Sequence, residues 1–221
     1  LFEQGHRISS ELRTTMQEVR SFQESVKGTL RVSLRPAVGN AVIVPALPGF
    51  LAQYPDLKVH VSLANQRRNL IANDIDVAVW MGPIPDSDVI ARPLSTGQRI
   101  VCASPEYLSR CGVPRVPQDL RNHSCLLLDA PTYEGKWVFT KDGIDHEIAV
   151  EGQMQTDNGL VLYSAAVAGA GLMVANEWGA RSLIAQGHLV RVLPHYTVRY
   201  SPSQGELYAV YASNRGVSRK V

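Results

Sequence analysis

Long apolar runs, paired metal ligands and nucleotide-binding glycine motifs are what this sequence lacks. Its 221 residues carry three cysteines, Cys102, Cys111 and Cys125. An odd count so widely scattered excludes zinc spacing and a disulfide framework, and points to a reducing compartment, taken here as the cytoplasm. A redox role for Cys102 and Cys111 stands beside inert packing, which their places in a predicted strand and at a helix end favour. The six histidines stand apart, without HxxxH spacing. GxSxG, P-loop and GxGxxG motifs are missing, and Gly169-Ala170-Gly171 falls at a predicted helix end rather than a strand-to-helix turn. No enzyme activity, cofactor or metal is therefore expected. No stretch reaches the roughly 20 apolar residues of a membrane helix, and the charged N-terminus lacks the apolar core of a signal peptide. With 22 Lys and Arg against 20 Asp and Glu, the charge balance argues for neither nucleic-acid nor membrane binding by this chain.

What is present is ordinary globular material, 45% hydrophobic and 19% charged, enough for one large or two small cores. Residues 1–28 read as a helix with a heptad seam of Leu1, Gly5, Ile8, Leu12, Thr15, Val19, Phe22 and Val26. So narrow a stripe needs a partner, either its own domain or a second chain. From Thr29 strands and helices alternate, which indicates βαβ units and a largely parallel sheet. The first unit is a strand at 29–34, a turn at 35–40, and a helix running to Tyr54-Pro55. Strands at 58–63 and 75–80 follow, separated by a helical stretch at 66–72, with a further strand at 89–93. A second series opens with a strand after Gln98 and a helix capped by Ser104-Pro105-Glu106. It continues through a short helical turn at 116–120, a strand at 124–128, and a hairpin across Lys141-Asp142-Gly143. A buried helix at 160–168, a strand at 171–175, a helix at 177–185 and a strand at 189–193 follow. Residues 194–204 read as irregular. One strand, 206–212, is left over after the second series, which fits a chain crossing back into the first sheet. Crossings at 95–97 and 195–202 would form a hinge, and a cleft between two such halves is a common ligand site.

Several motifs in this order resemble a known family. GTLRVS, PxLPxFLxxYPD, IDVAVWMGPIPDSDVIARPL, CASPEYLxxxGVPxxPxDLxxHxCLLL, TDNG, AAxAGxGLMVAN and GHLVRVLP look like the effector-binding half of LysR-type transcriptional regulators. The opening LFEQGHRI resembles that family's linker helix. The resemblance implies two Rossmann-like subdomains joined by a hinge, as in periplasmic binding proteins, behind an N-terminal linker helix. It divides the chain into a linker at 1–28, subdomain I at 29–97 and 198–221, and subdomain II at 98–197. The implied function is sensing a small molecule between the subdomains, and several predicted helix N-termini opening on one crevice favour a small anionic organic acid. Partners are a second copy or more of the chain, through the linker helix and subdomain flanks, and DNA only through an N-terminal domain absent from this sequence. A two-lobed solute-binding protein of a transport system is the alternative; it would carry a secretion signal and no coiled-coil arm.

The resemblance also implies which turns meet the effector. The first lip brings Arg35, Pro36, Ala37 and Val38. Ala37 and Ala64 stand where related proteins often carry hydroxyls, and Arg35 stands where proline is common. Its guanidinium is either a bidentate grip on a carboxylate or a solvated loop charge. Asn65 and Gln66 offer amides, or Asn65 caps a helix. Trp80 and Met81 form either a polarizable wall of the cleft or plain core. Ala103 and Ser104 open a helix, where Ser104 as N-cap explains itself. Thr156, Asn158 and Gly159 form a polar turn at a buried helix start, and Asn176 opens the next helix. Tyr133 and Trp137 are placed to close over the cleft.

Overall fold

The computed structural model describes residues 26–84, 89–95, 97–129, 135–200 and 206–213. The linker seam of residues 1–25, Tyr133, and the end of the chain after Ser213 lie outside them. β1 (Gly28–Leu34) leads directly into α1 (Pro36–Gln53), then β2 (Leu57–Leu63), β3 (Val77–Met81) and β4 (Val89–Ser95). The second half holds β5 (Arg99–Ala103), α2 (Pro105–Cys111), a 3₁₀ turn (Pro117–Asn122), β6 (Leu126–Leu128), and the hairpin β7 (Lys136–Lys141) and β8 (Ile144–Ala149). β9 (Met154–Thr156), α3 (Gly159–Val167), β10 (Met173–Asn176), α4 (Glu177–Ala185), β11 (Val190–Val192), β12 (Thr197–Arg199) and β13 (Leu207–Ala212) complete it.

The two halves share one strand plan. In the first, the order is β2-β1-β3-β13-β4, with β1 parallel to β2 and β3, and β13 antiparallel to both its neighbours. In the second, β6 pairs in parallel with β9, and the parallel bridge Cys125–Leu172 sets it beside β10. β5 lies antiparallel between β10 and β11. The order β9-β6-β10-β5-β11 repeats the first sheet, with the antiparallel strand again fourth. Each sheet is largely parallel, as the alternation of strands and helices predicts: four strands run one way, and one, β13 in the first and β5 in the second, runs against them. The molecule has two lobes, and the last strand sits in the first.

The first turn is shorter than expected. Pro36 occupies the first helical position behind Arg35, whose φ −67 and ψ 136 are extended, so proline's fixed φ starts the helix one residue after the strand. Gly39 lies inside the helix at φ −55. Its lack of a side chain serves packing, since a Cβ there would come within 3.1 Å of Leu63 Cδ2 and 3.2 Å of Leu34 Cβ. Residues 66–72 form no helix. Asn69 competes for the backbone instead: its Oδ1 accepts from Ala72 N at 2.9 Å and its carbonyl from Asn73 Nδ2 at 2.8 Å. The stretch read as irregular contains β12, which pairs with β7 and buries Val198.

Each lobe has its own apolar core. Leu34, Val38, Val79 and Leu207 cluster in the first; Val101, Tyr107, Trp137, Phe139 and Leu172 are among the centre of the second. Two side chains trespass. Ala37, from the first lobe, packs on the cluster around Ile100, Leu162 and Met173 in the second. Trp178, from the second lobe, packs on the cluster around Leu34 and Val79 in the first. The lobes are bolted together by this exchange.

Candidate functional site

Between the lobes lies a cavity of about 60 Å³. Its first lip is Arg35 with the opening turn of α1. Arg35 Nη1 donates to the Asn65 carbonyl at 2.7 Å, which ties the β1 exit to the β2 exit. Burial, and secondarily the charge of Arg67, push the Arg35 pKa down from its ordinary value. A guanidinium starts so high that it stays charged at neutral pH. Arg67 is fixed nearby: its Nη2 donates to the carbonyls of Met81 at 2.8 Å and Pro83 at 2.7 Å, and its guanidinium lies 5.4 Å from the Trp80 ring centroid.

The facing lip comes from β5, α3, β10 and α4. Arg99 is 8% exposed, with its guanidinium 4.8 Å from the Tyr200 ring centroid, and burial lowers its pKa against a smaller opposing effect of Tyr200. Tyr200 OH donates to the Val174 carbonyl at 2.7 Å. Tyr163 OH donates to the Asn176 carbonyl at 3.2 Å, and burial raises the Tyr163 pKa. That phenol reaches its acceptor across Gly179, where a Cβ would sit 2.3 Å from Tyr163 Oη. The Asn158 side chain caps α3 by accepting from Leu160 N at 3.0 Å. The lips nearly touch: a Cβ on Gly159 would lie 3.2 Å from the Ala37 Cβ.

Asn176 and Trp178 differ from Tyr163, Tyr200 and Asn158, whose side chains each make a hydrogen bond. Asn176 precedes α4 yet makes no side-chain cap. Its Oδ1 and the Trp178 Nε1 are buried without a hydrogen-bond partner among the described residues.

Of the residues singled out from sequence, Arg35, Pro36, Ala37, Val38, Asn65, Met81, Gly159 and Asn176 line this cavity. Others do not. Trp80 sits against the core around Ile75 and Val210, because the strand's alternation turns Met81 to the cleft and Trp80 away. Trp137 is fully buried in the second lobe, since β7 aims it into that core rather than over the cleft. Ala103 is buried in β5, and Ser104 is a helix cap, its Oγ accepting from Tyr107 N at 3.1 Å. Thr156 accepts from Asn158 N at 3.2 Å through its Oγ1 and so shapes the turn from behind. Gln66 is exposed and outside the lining. Tyr133 lies outside the described residues.

Sequence reasoning missed Arg99, Tyr163, Trp178 and Tyr200. Arg99 left a signal: it is the one charge in an otherwise apolar strand, RIVCA, and charge in a buried strand is rare without a task. Trp178 left none, because its neighbours come from the other lobe.

Comparison with known proteins agrees with this geometry. The sequence profile of the LysR substrate binding domain family matches residues 23–221. The HTH-type transcriptional regulator DmlR of Escherichia coli is 30% identical over 222 residues, spanning 100% of this chain and 71% of that protein. The HTH-type transcriptional activator TtdR of Escherichia coli is 27% identical, spanning 95% of this chain and 66% of that protein, so the chain covers about two thirds of such a relative. The regulatory domain of CrgA from Neisseria meningitidis, a LysR-type transcriptional regulator, superposes with a TM-score of 0.78 at 26% identity, covering 88% of this chain and 94% of that one. Two lobes of equal strand order, a cleft between them and a family match along nearly the whole length lead to one assignment: this chain belongs to the LysR substrate-binding family, and is an effector-binding domain of a transcription regulator.

Proposed function

We propose that the effector is a small organic anion, taken into the cleft with a carboxylate on Arg35. One observation carries this reading. Arg35 is half-buried, its desolvation is not offset by a neighbouring acid, and the described lining of the cavity contains no aspartate or glutamate. A desolvated cation without a counter-charge favours an anionic ligand, and a guanidinium suits a carboxylate by its paired donors. Pro36, Ala37 and Val38 support the grip from one side, Gly159 and Asn176 from the other.

In this reading binding changes the angle between the lobes, subdomain I being 29–97 with 198–221 and subdomain II 98–197. A dimer then carries the change to DNA-binding heads in the parent protein, working in the cytoplasm and without a catalytic step. The relatives' naming as transcription regulators does not favour the transport alternative. Self-association has support in α1. This helix of 18 residues is apolar and long enough to cross a membrane, and holds no charged side chain, yet Val42 and Val44 are 40% and 43% exposed. A second copy covering that face, together with the linker helix, accounts for it without a membrane.

The test is a thermal-shift and calorimetric screen of carboxylates and cations against the chain and its Arg35→Ala variant. A true effector at 100 times its Kd stabilises by about 2.7 kcal/mol, and the variant loses that gain. Tight binding of a cation with no carboxylate bound would overturn the reading.

A further inference from the structure

Besides Arg99 Nε, on a guanidinium that stacks over the Tyr200 ring, two buried atoms of the cleft lining make no hydrogen bond among the described residues, and they are of opposite kind. The indole Nε1–H of Trp178 can only donate, and Asn176 Oδ1 can only accept. Both residues line the cavity that Arg35 closes from the other lobe. Neither atom is idle for want of a usual occupation. Asparagine immediately before a helix ordinarily turns its oxygen onto the first free backbone N–H groups, as Asn158 does at α3, accepting from Leu160 N at 3.0 Å. Asn176 holds the equivalent place before α4 with φ −69 and ψ 135, and its side chain makes no cap. Its backbone carbonyl is held by Tyr163 OH at 3.2 Å, so the residue is positioned while its amide stays uncommitted. Trp178 is fixed in the same way: its ring is seated on the core of the other lobe, and the residue lines the cavity with its indole N–H unanswered among the described residues.

A buried donor and a buried acceptor each carry a desolvation penalty until something answers them. A carboxylate answers the indole alone, and an ammonium answers the amide oxygen alone. A hydroxyl answers both, its oxygen accepting from Trp178 and its hydrogen going to Asn176. Size narrows the class further. The free space is about 60 Å³, room for only a few water-sized groups at about 10–15 Å³ each, so a short acid suits it better than a long one.

Resting on the anion-sensor reading above, we propose that the effector is a short hydroxy acid. Its carboxylate lies on Arg35, and its hydroxyl lies between Trp178 Nε1 and Asn176 Oδ1. Arg35 and the Trp178–Asn176 pair belong to different lobes, so one molecule spans the cleft and the hydroxyl sets which acids are accepted.

The experiment pairs acids that differ only in the hydroxyl: glycolate against acetate, and lactate against propionate, by titration calorimetry on the chain. The hydroxy acid binds at least tenfold more tightly in each pair, because a site built for a hydroxyl discriminates strongly against its absence. With ¹⁵N-labelled indole, the resonance missing in Trp178→Phe moves on addition of lactate and not of propionate. In that variant, and in Asn176→Leu, the lactate-to-propionate ratio collapses towards one. Equal affinities within each pair in the unaltered chain overturn the hydroxyl assignment and leave the anion-sensor reading standing. Preference for a longer or aromatic acid lacking a hydroxyl does the same. Failure of every carboxylate to bind overturns both readings. A ratio that persists in both variants removes the assignment to these two residues.

Discussion

At the scale of single residues, Arg35 separates charge from shape. Arg35→Lys keeps the positive charge but loses the planar fork that holds the Asn65 carbonyl while offering further donors to a ligand. Anion affinity should fall about tenfold in Arg35→Lys and further in Arg35→Met, since a hydrogen bond to a charged group contributes about 1.5–3 kcal/mol; calorimetry with the best-binding carboxylate checks it. Ser104 is a purely structural counterpart. It is 2% exposed and caps α2 through Tyr107 N, so Ser104→Ala should cost about 1 kcal/mol in urea unfolding without changing ligand affinity. Such local roles were legible in the sequence. Ser104-Pro105-Glu106 announces a helix start whatever surrounds it, and Asp142-Gly143 turns a hairpin because both residues take positive φ, 51° and 77°. Arg99 and Trp178 were not legible as a pair of cleft walls. Their meaning depends on which residues of the other lobe arrive beside them.

Elements extend the same lesson. The helix α4 matches its sequence reading end to end at Glu177–Ala185, because Asn176 and the apolar spacing mark both the start and the buried face. The expected helix at 66–72 failed because asparagine at 69 offers the backbone a tighter local bargain than a helical turn, and Leu70 alone of the stretch packs into the core. β12 escaped notice because three residues are too few for a pattern. Its attachment is carried by Arg199, which hydrogen-bonds Thr140 Oγ1 on β7 at 2.9 Å and pairs with Asp145 on β8. That pairing gives a pH signature. Hydrogen bonds from Arg199 and Thr140 pull the Asp145 pKa down from 3.8 to about 2. A depressed carboxyl pKa stabilises the folded chain above the ordinary value, and the contribution fades as pH falls from 3.8 towards about 2. The melting temperature of Asp145→Asn should therefore lie below that of the unaltered chain at pH 6 and converge with it near pH 2. The gap stays small, because both partners are partly exposed. On α1, a charge at the exposed Val44 tests the subunit contact. Val44→Glu should shift the chain to monomer in sedimentation velocity while leaving its circular dichroism unchanged and making its melting temperature independent of protein concentration.

For the whole molecule, the exchange of Ala37 and Trp178 between cores makes the closed arrangement a packed state. An effector must either fit within it or prise it open. The near-contact of Ala37 and Gly159 offers a latch to tell these apart, since a Cβ–Cβ separation of 3.2 Å is within a few tenths of an ångström of the roughly 3.5–4.5 Å a disulfide spans. Ala37→Cys combined with Gly159→Cys should crosslink under mild oxidation and lock the lobes. If entry requires opening, the oxidised protein binds carboxylates at least tenfold more slowly, and reduction restores the rate; an unchanged rate would mean the ligand enters with the lobes together. Two-lobed architecture was legible from the leftover strand at 206–212, because an unpaired strand must find an edge or a gap. The route by which each lobe reaches into the other was not, as neither alanine nor tryptophan advertises its partner.

The position of β13 between β3 and β4 also fixes an order of events at the ribosome. Every strand joined to β5 or β10 emerges before residue 193, so the second half can condense while synthesis continues. The first half must wait with an open seam in its middle until residue 212 has left the exit tunnel. Early termination just short of β13 would release a chain with one finished half and one exposing Ala78 and Val79 to whatever strand it meets first.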